Sequence, residues 1–187
     1  VLFFKMLENG HLPLWNPINF SGTPFLADIN LGLLSPFNIF YLLFHPLTAL
    51  TFSIVVAVTA AGVGMYWYGR TIKLSSFSAC VAALVFMFSG SIMTHTMNTA
   101  ILNTVVWLPF LLVSVENLIQ KKQLKYALYC SIILTLSFFG GHIQYFYYIV
   151  IFTFFYILFS ASLWKEKVKY ICFIFLPVFF LSAAQLF

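Results

Sequence analysis

Six long apolar segments, separated by short polar stretches, fill the chain from Pro46 onward. A helix needs about 20 apolar residues to cross the hydrocarbon core of a bilayer, so each segment predicts a membrane span. The predicted spans are residues 46–69, 77–89, 100–119, 124–139, 143–163 and 168–187. The second and fourth are short, and we expect them to extend over 75–92 and 123–140. The pattern therefore predicts an all-α fold, a polytopic transmembrane helix bundle.

Two prolines divide the apolar stretch that precedes the first span. Pro36 and Pro46 bracket residues 37–45, a length that covers about half of the hydrocarbon core at 1.5 Å per residue. Proline favours the first turn of a helix, so 37–45 predicts a short interfacial or re-entrant helix. We expect a single membrane domain, residues 1–187, with an outer loop and its interfacial helix over 1–45 and about six transmembrane helices over 46–187.

Lysine and arginine occur in alternate loops, after the first, third and fifth predicted spans. The residues are Arg70, Lys73, Lys121, Lys122, Lys125, Lys165, Lys167 and Lys169. By the positive-inside rule these loops are predicted to be cytoplasmic. The outer side then receives residues 1–35, 90–99 and 140–142. Lys5 is the one basic residue on that side.

The composition agrees with a bilayer environment and argues against a soluble domain. Hydrophobic residues make up 63% of the chain and charged residues 7%, against about 45–50% and about 25% in soluble domains. The net charge of +5 is concentrated in the alternate loops, which favours membrane orientation over binding to nucleic acid. We therefore expect the lipid bilayer as a partner, and no nucleic acid. Because both ends lie within apolar runs and no initiator methionine is present, we also expect the chain to be truncated at both ends.

The polar side chains that are suited to catalysis or ligand binding lie mainly on the predicted outer side. They form three patches, residues 10–38, 95–98 and 142–144. The carboxylates and histidines of that side are Glu8, His11, Asp28, His45, His95 and His142. None of these has HxxH or HExxH spacing, so we expect no metal site. The sequence also lacks a glycine-rich phosphate loop and a nucleophile-elbow pattern, which argues against the soluble enzyme classes that use them.

Each polar feature also has a purely structural interpretation. A lone outer histidine is typically solvated or bonded to backbone, Asn98 and Asn103 are typical of amides that join helices, and tyrosines after His142 are typical of an interfacial belt. Glu116, near the end of its span, is expected to snorkel or to pair with Lys121 or Lys122. Asp28 favours a functional interpretation more strongly, because a carboxylate in an apolar, membrane-apposed loop is costly without a partner or a task.

Several of these motifs, in this order, resemble the bacterial YfhO-type membrane protein family. The first outer loop of that family carries G-x-x-P-x-W-N-P, then G-x-P-F, then P-x-N. Here the matching residues are Gly10, Pro13, Trp15, Asn16, Pro17, Gly22, Pro24, Phe25, Pro36 and Asn38. Further matches are FSG with His95, WLP at 107–109 with Glu116, GGHIQ at 140–144, and the final AAQL. The resemblance covers almost the whole chain.

The resemblance implies a GT-C-like fold and activity. Such a protein is a glycosyltransferase that takes a sugar from a polyprenyl-phosphate carrier, without a further cofactor, and passes it to an extracytoplasmic acceptor in cell-envelope glycan or teichoic acid modification. It lies in the bacterial plasma membrane, and its expected partners are the lipid-linked sugar and other cell-envelope glycosylation proteins. A carboxylate near the start of the first outer loop acts as catalytic base or positions the acceptor. That position is expected upstream of this sequence, which leaves Asp28 as the candidate catalytic residue here.

The remaining outer polar residues are candidates for substrate binding. Trp15 is suited to stacking on a sugar ring, and Lys5 to neutralising phosphate. The predicted substrate-binding residues are Trp15, Asn16, His95, Asn98, His142 and Gln144. Two other functions remain open, a non-catalytic membrane scaffold and a lipid or glycan transporter. An ion-coupled transporter predicts charged residues within its spans, and these spans are nearly free of charge.

Overall fold

A computed structural model describes residues 6, 14–16, 22–24, 28–160 and 164–186, with side chains as far as Ser182. The described part is mostly helical, and its only sheet is a minimal antiparallel pair, β1 (Trp15–Asn16) and β2 (Thr23–Pro24). Short 3-10 turns follow at Ile29–Leu31 and Pro36–Ile39, and another lies at His95–Met97. The α-helices are α1 (Phe40–Leu43), α2 (Pro46–Thr71), α3 (Ser76–Met87), α4 (Gly90–Thr94), α5 (Thr99–Val105), α6 (Leu108–Lys121), α7 (Lys125–Phe138), α8 (Ile143–Leu158) and α9 (Trp164–Leu186).

The all-α prediction is confirmed. Three helical stretches of the described chain are long and apolar enough to cross a membrane: Pro46–Thr71, Ser76–Met97 and Thr99–Lys121. Helices α7 and α8 are apolar but shorter. The count of about six spans and the division at residue 45 remain predictions.

Two of the three long stretches are interrupted. Helix α3 ends at Met87, and α4 restarts after Ser89, whose hydroxyl caps the new helix by accepting the backbone N–H of Ile92. Helix α5 ends at Val105, and α6 restarts with Pro109 in its first turn, where the missing N–H costs nothing. The limit predicted for the second span, residue 89, agrees with the end of α3. The restart at α4 and the break before α6 were not predicted, and apolar residues continue through the second of these breaks.

At the junction between the last two predicted spans, the predicted limits differ from the helix ends by several residues. Helix α8 ends at Leu158 rather than at 163, and the carbonyl of Leu158 accepts a hydrogen bond from Lys167 Nζ at 2.7 Å. Helix α9 begins at Trp164 rather than at 168, so its first turn is charged. Counting consecutive apolar residues misses this turn, because charged residues can also form a helix. The interfacial helix predicted at 37–45 is a 3-10 turn followed by the four-residue α1.

The basic loops meet at one end of the bundle, which we call the basic end. Gln120 Nε2 lies 3.5 Å from the carbonyl of Thr71, and Lys122 Nζ lies 3.1 Å from Glu166 Oε1. These contacts join the loops that follow the first, third and fifth predicted spans. The opposite end, which we call the polar end, consists of residues 28–38, 89–104 and 139–145.

The interpretation of Glu116 as a partner of Lys121 or Lys122 is wrong. Lys122 pairs with Glu166, and Lys121 donates to the Tyr126 hydroxyl at 3.1 Å. Lys121 lies five residues along α6 from Glu116, which places it about 140° around the helix. Lys122 has a left-handed backbone with φ of 54° and lies beyond the last turn.

Two apolar cores support the two halves of the bundle. The first joins helices α6, α7, α8 and α9 around Leu118, Leu134 and Ile174. The second joins α2 to the α4–α6 region and includes Phe37 from the loop, whose ring centroid lies 5.5 Å from that of Trp107. Phe37 therefore anchors the predicted first outer loop, of which residues 28–38 lie at the polar end, to the bundle.

Candidate functional site

A glycine turn between α7 and α8 lies directly against α5. A Cβ on Gly140 would be 2.5 Å from the backbone nitrogen of Thr104, so only glycine fits there without a shift. Ser137 Oγ donates to the Thr104 carbonyl at 2.9 Å, and the backbone N–H of His142 donates to Thr104 Oγ1 at 3.2 Å. Thr104 thus fixes the position from which the His142 side chain projects.

The first outer loop packs on the same glycine turn. A Cβ on Gly32 would lie 2.5 Å from the Gly140 carbonyl oxygen, and a Cβ on Gly141 would lie 2.5 Å from Gly32 Cα. Both Gly32 and Gly141 have positive φ, 55° and 100°, which side-chain-bearing residues rarely adopt. Asn38 Nδ2 holds the loop by donating to the Gly32 carbonyl at 2.7 Å. The first predicted patch is therefore in backbone contact with the Gly140–Gly141 turn, which directly precedes the third patch.

Tyr145 joins the second patch to the third. Its hydroxyl lies 3.2 Å from His95 Nε2, and its ring meets the imidazoles of His95 and His142 edge-on, with centroids 5.4 and 5.1 Å away. His95 Nδ1 contacts the carbonyl of Ser91. A carbonyl only accepts, so Nδ1 carries the hydrogen of neutral His95, and Nε2 accepts from Tyr145. We call these three residues the His95–Tyr145–His142 cluster.

Several polar atoms at this end have no hydrogen-bond partner within the described part of the chain. They are Ser35 Oγ, Asn103 Oδ1 and His142 Nδ1. Buried polar atoms in folded proteins are normally bonded. The polar end therefore has hydrogen-bonding capacity that the described residues do not use, and His142 Nδ1 is its titratable member.

Other predicted site residues have local structural partners. Asp28 is exposed, and its Oδ1 accepts the backbone N–H of Asn30 at 3.0 Å, which caps the 3-10 turn Ile29–Leu31. Asn98 caps α5 through a long contact of 3.5 Å to the backbone N–H of Ile101. Gln144 is exposed and donates to the Tyr148 hydroxyl at 2.7 Å. Their assignment to a site remains a prediction.

Trp15 and Asn16 lie on the two-stranded hairpin. Trp15 pairs with Pro24 and Asn16 with Thr23. The Trp15 indole covers Gly22, where a Cβ would lie 2.5 Å from the ring nitrogen, yet 54% of Trp15 is exposed. Asn16 is buried. Trp15 thus presents an accessible aromatic face, whereas the Asn16 side chain is buried.

Some predicted residues stand apart from the cluster or outside the described chain. His45 is exposed and precedes α2 as its N-terminal cap residue. Lys5, Glu8 and His11 lie outside the described residues. Within the described ranges, no group of three or more His, Cys, Asp or Glu side chains is placed to hold a metal ion.

Thr104 and Tyr145 are the residues that sequence reasoning undervalued. Thr104 stands within a predicted span, and Tyr145 is one of several tyrosines that fit an interfacial belt. For Thr104, the available signal in the sequence was the polar pair Asn103–Thr104 inside an apolar segment. The aromatic contacts that distinguish Tyr145 from Tyr147 and Tyr148 depend on the turn of the neighbouring loop, so the sequence offers no equivalent signal.

Comparison with known proteins agrees with the predicted resemblance. A family model described as bacterial membrane protein YfhO matches residues 14–186. No curated protein matches the chain, and no solved structure matches it. The matched residues include the hairpin, the loop over the polar end, the His95–Tyr145–His142 cluster and the helices that support them. The chain belongs to the YfhO family of bacterial membrane proteins.

Proposed function

We propose that this protein is a GT-C-type glycosyltransferase that moves a sugar from a polyprenyl-phosphate carrier to an extracytoplasmic acceptor of the cell envelope. The observation that carries the proposal is the meeting of three separate chain segments at the polar end. The first outer loop touches the Gly140–Gly141 turn, and Tyr145 contacts both His95 and His142. A lipid-linked donor suits this position, because its tail stays among the helices while its phosphate and sugar lie at the helix ends.

In this proposal the reaction uses residues of the polar end together with Trp15 of the hairpin. The acceptor oxygen attacks the anomeric carbon of the sugar, the bond from that carbon to the phosphate oxygen breaks, and the polyprenyl phosphate leaves with the electron pair. We assign His142 to the phosphate, since its unused Nδ1 donates in the appropriate tautomer. Asp28 accepts the acceptor proton or orients the acceptor hydroxyl. Trp15 stacks on the sugar, with Asn98 and Gln144 as hydrogen-bonding partners.

The same proposal includes the orientation of the protein. Loops rich in lysine and arginine favour the cytoplasmic side, and the contacts of Lys122 with Glu166 and of Gln120 with Thr71 bring those loops to one end. We therefore assign the basic end to the cytoplasm and the polar end to the outer surface of the bacterial plasma membrane. About six spans satisfy this arrangement.

A lipid or glycan transporter is the second candidate. The interruptions between α3 and α4 and between α5 and α6 favour it, because broken helices form the substrate sites of many transporters. A transporter moves the lipid-linked sugar without cleaving it. A non-catalytic scaffold would neither cleave nor move it. Transfer of the sugar therefore discriminates among the three functions.

We expect right-side-out membrane vesicles that contain the intact protein to transfer radiolabelled sugar from polyprenyl phosphate to envelope material. The product should be sensitive to periodate, which does not cross the membrane and oxidises only outward-facing sugar diols. Vesicles without the protein provide the background. Movement of uncleaved donor across the bilayer would support the transporter instead, and product protected from periodate would place the reaction at the basic end.

A further inference from the structure

Glu116 is a carboxylate inside a predicted span, close to the basic end. It lies on α6 and joins three helices: Oε2 accepts from the Tyr156 hydroxyl of α8 at 2.8 Å, and that hydroxyl lies 3.4 Å from the Tyr68 hydroxyl of α2. Its other oxygen, Oε1, accepts from Gln120 Nε2 at 2.8 Å. All of these neighbours are neutral groups. The carboxylate is therefore hydrogen-bonded, and none of these neighbours is a cation.

Nearby cations are occupied elsewhere. The one ion pair among residues 28–160 and 164–182 is Lys122–Glu166, and Lys121 donates to Tyr126. An ionisable group at membrane depth is costly unless it has a partner or a task. Each carboxylate oxygen accepts more than one hydrogen bond, so Tyr156 and Gln120 leave Glu116 able to receive a cationic donor.

An open groove of about 550 Å³ lies beside this carboxylate, between α6 and α8. We call it the Glu116 groove, and its lining residues are Glu116, Ile119, Phe152, Phe155, Tyr156, Phe159 and Ser160. Phe152, Phe155 and Phe159 are 47%, 46% and 81% exposed in the protein alone. Within a bilayer, such side chains face lipid. The groove thus combines one acidic group with a wall suited to hydrocarbon.

A basic side chain lies next to the chain segment Phe159–Ser160, which lines one end of the groove. Lys167 Nζ donates to the carbonyl of Leu158, the residue that precedes Phe159. The ammonium has further donors beyond this bond. A ligand with a positive and a negative group would therefore find Glu116 for the first and Lys167 for the second.

We propose that the Glu116 groove binds phosphatidylethanolamine from the surrounding leaflet. The primary ammonium of the headgroup donates to Glu116, the phosphate lies toward Lys167, and an acyl chain follows the phenylalanine wall. A primary ammonium carries three N–H donors, whereas the quaternary ammonium of phosphatidylcholine carries none. Charge-assisted hydrogen bonding to the carboxylate therefore favours phosphatidylethanolamine over phosphatidylcholine. This site lies at the opposite end from the proposed sugar-transfer site and does not depend on it.

The test uses the intact protein, reconstituted in vesicles with equal amounts of phosphatidylethanolamine and phosphatidylcholine and extracted in mild detergent. Native mass spectrometry then gives the ratio of the two lipids retained. We expect the wild-type protein to favour phosphatidylethanolamine by about tenfold, as the loss of a charged hydrogen bond predicts, and Glu116→Gln to bring the ratio to that of the vesicle. Glu166→Gln, which also removes a carboxylate at the basic end, should leave the preference intact.

A second variant separates lipid binding from helix joining. Tyr156→Phe removes the hydrogen bond that joins Glu116 to α8 but keeps the carboxylate, so the preference for phosphatidylethanolamine should persist even if the melting temperature falls. Loss of the preference in Tyr156→Phe with retention in Glu116→Gln would overturn the proposal. Equal retention of both lipids by the wild-type protein would overturn it as well.

Discussion

Replacing Gly141 with alanine is expected to destabilise the intact protein by about 3 kcal/mol or more, in the range of strained or overpacked substitutions. The backbone there has φ of 100°, and the new Cβ would lie 2.5 Å from Gly32 Cα and 2.9 Å from the Ile29 carbonyl oxygen. Neither neighbour is a flexible side-chain tip. The first outer loop must therefore move away from the α7–α8 turn. We expect the melting temperature of the detergent-purified protein to fall by roughly 6 to 12 °C.

Gly90→Ala is the matched control. Gly90 begins α4, and a Cβ at that position meets no atom within 4 Å. Alanine also suits a helix better than glycine. The melting temperature of Gly90→Ala should therefore equal or slightly exceed that of the wild-type protein. Equal effects of the two substitutions would show that the loop does not rest on the glycine turn.

Replacing His142 with alanine is expected to lower sugar transfer by about 100-fold or more, the effect of removing a group that stabilises developing charge. The backbone N–H that bonds Thr104 remains, so the turn itself should keep its structure. The initial rate of label transfer from polyprenyl-phosphate sugar, measured beside the melting temperature, separates chemistry from folding. A wild-type rate in His142→Ala would exclude this residue from the reaction.

Tyr145→Phe should have a smaller effect on the same rate, about tenfold, because it removes one hydrogen bond that positions His95 rather than a group placed on the phosphate. The ring contacts to both histidines would remain. Tyr147→Phe offers a close comparison, since Tyr147 is exposed on the same helix. Equal rates in Tyr145→Phe and Tyr147→Phe would mean that the cluster does not need its hydroxyl.

The helical architecture follows from the apolar pattern, because lipid forces the backbone of a span to satisfy its own hydrogen bonds. The start of α2 at Pro46 and the limits of α7 were predicted to within a residue or two. The end of α3 near residue 89 was predicted as well. The restart at Gly90 and the break before Leu108 were not, since they arise from local capping and from proline placement inside an apolar run. Charged residues at the start of α9 misled the apolar count in the same way.

The candidate site was predictable as a set of patches but not as an arrangement. The sequence grouped His95 with His142 only because both lie on the same predicted side of the membrane. In the structure, Tyr145 contacts both histidines. The contact between Gly32 and Gly141 required tertiary packing, because glycine pairs far apart in sequence give no periodic signal. The partner of Glu116 was missed for a similar reason: Tyr156 lies 40 residues away, whereas the pairing with lysine was inferred from local spacing.

Photocrosslinking tests most directly whether the polar end is where the lipid-linked sugar binds. A benzophenone side chain at Met97, which is 95% exposed beside His95, should crosslink to radiolabelled polyprenyl-phosphate sugar in membranes. Unlabelled donor should compete, and the same group at Lys73, which is exposed at the basic end, should give only background. Labelling at Lys73 that competes with donor, together with none at Met97, would contradict the proposed location of the site.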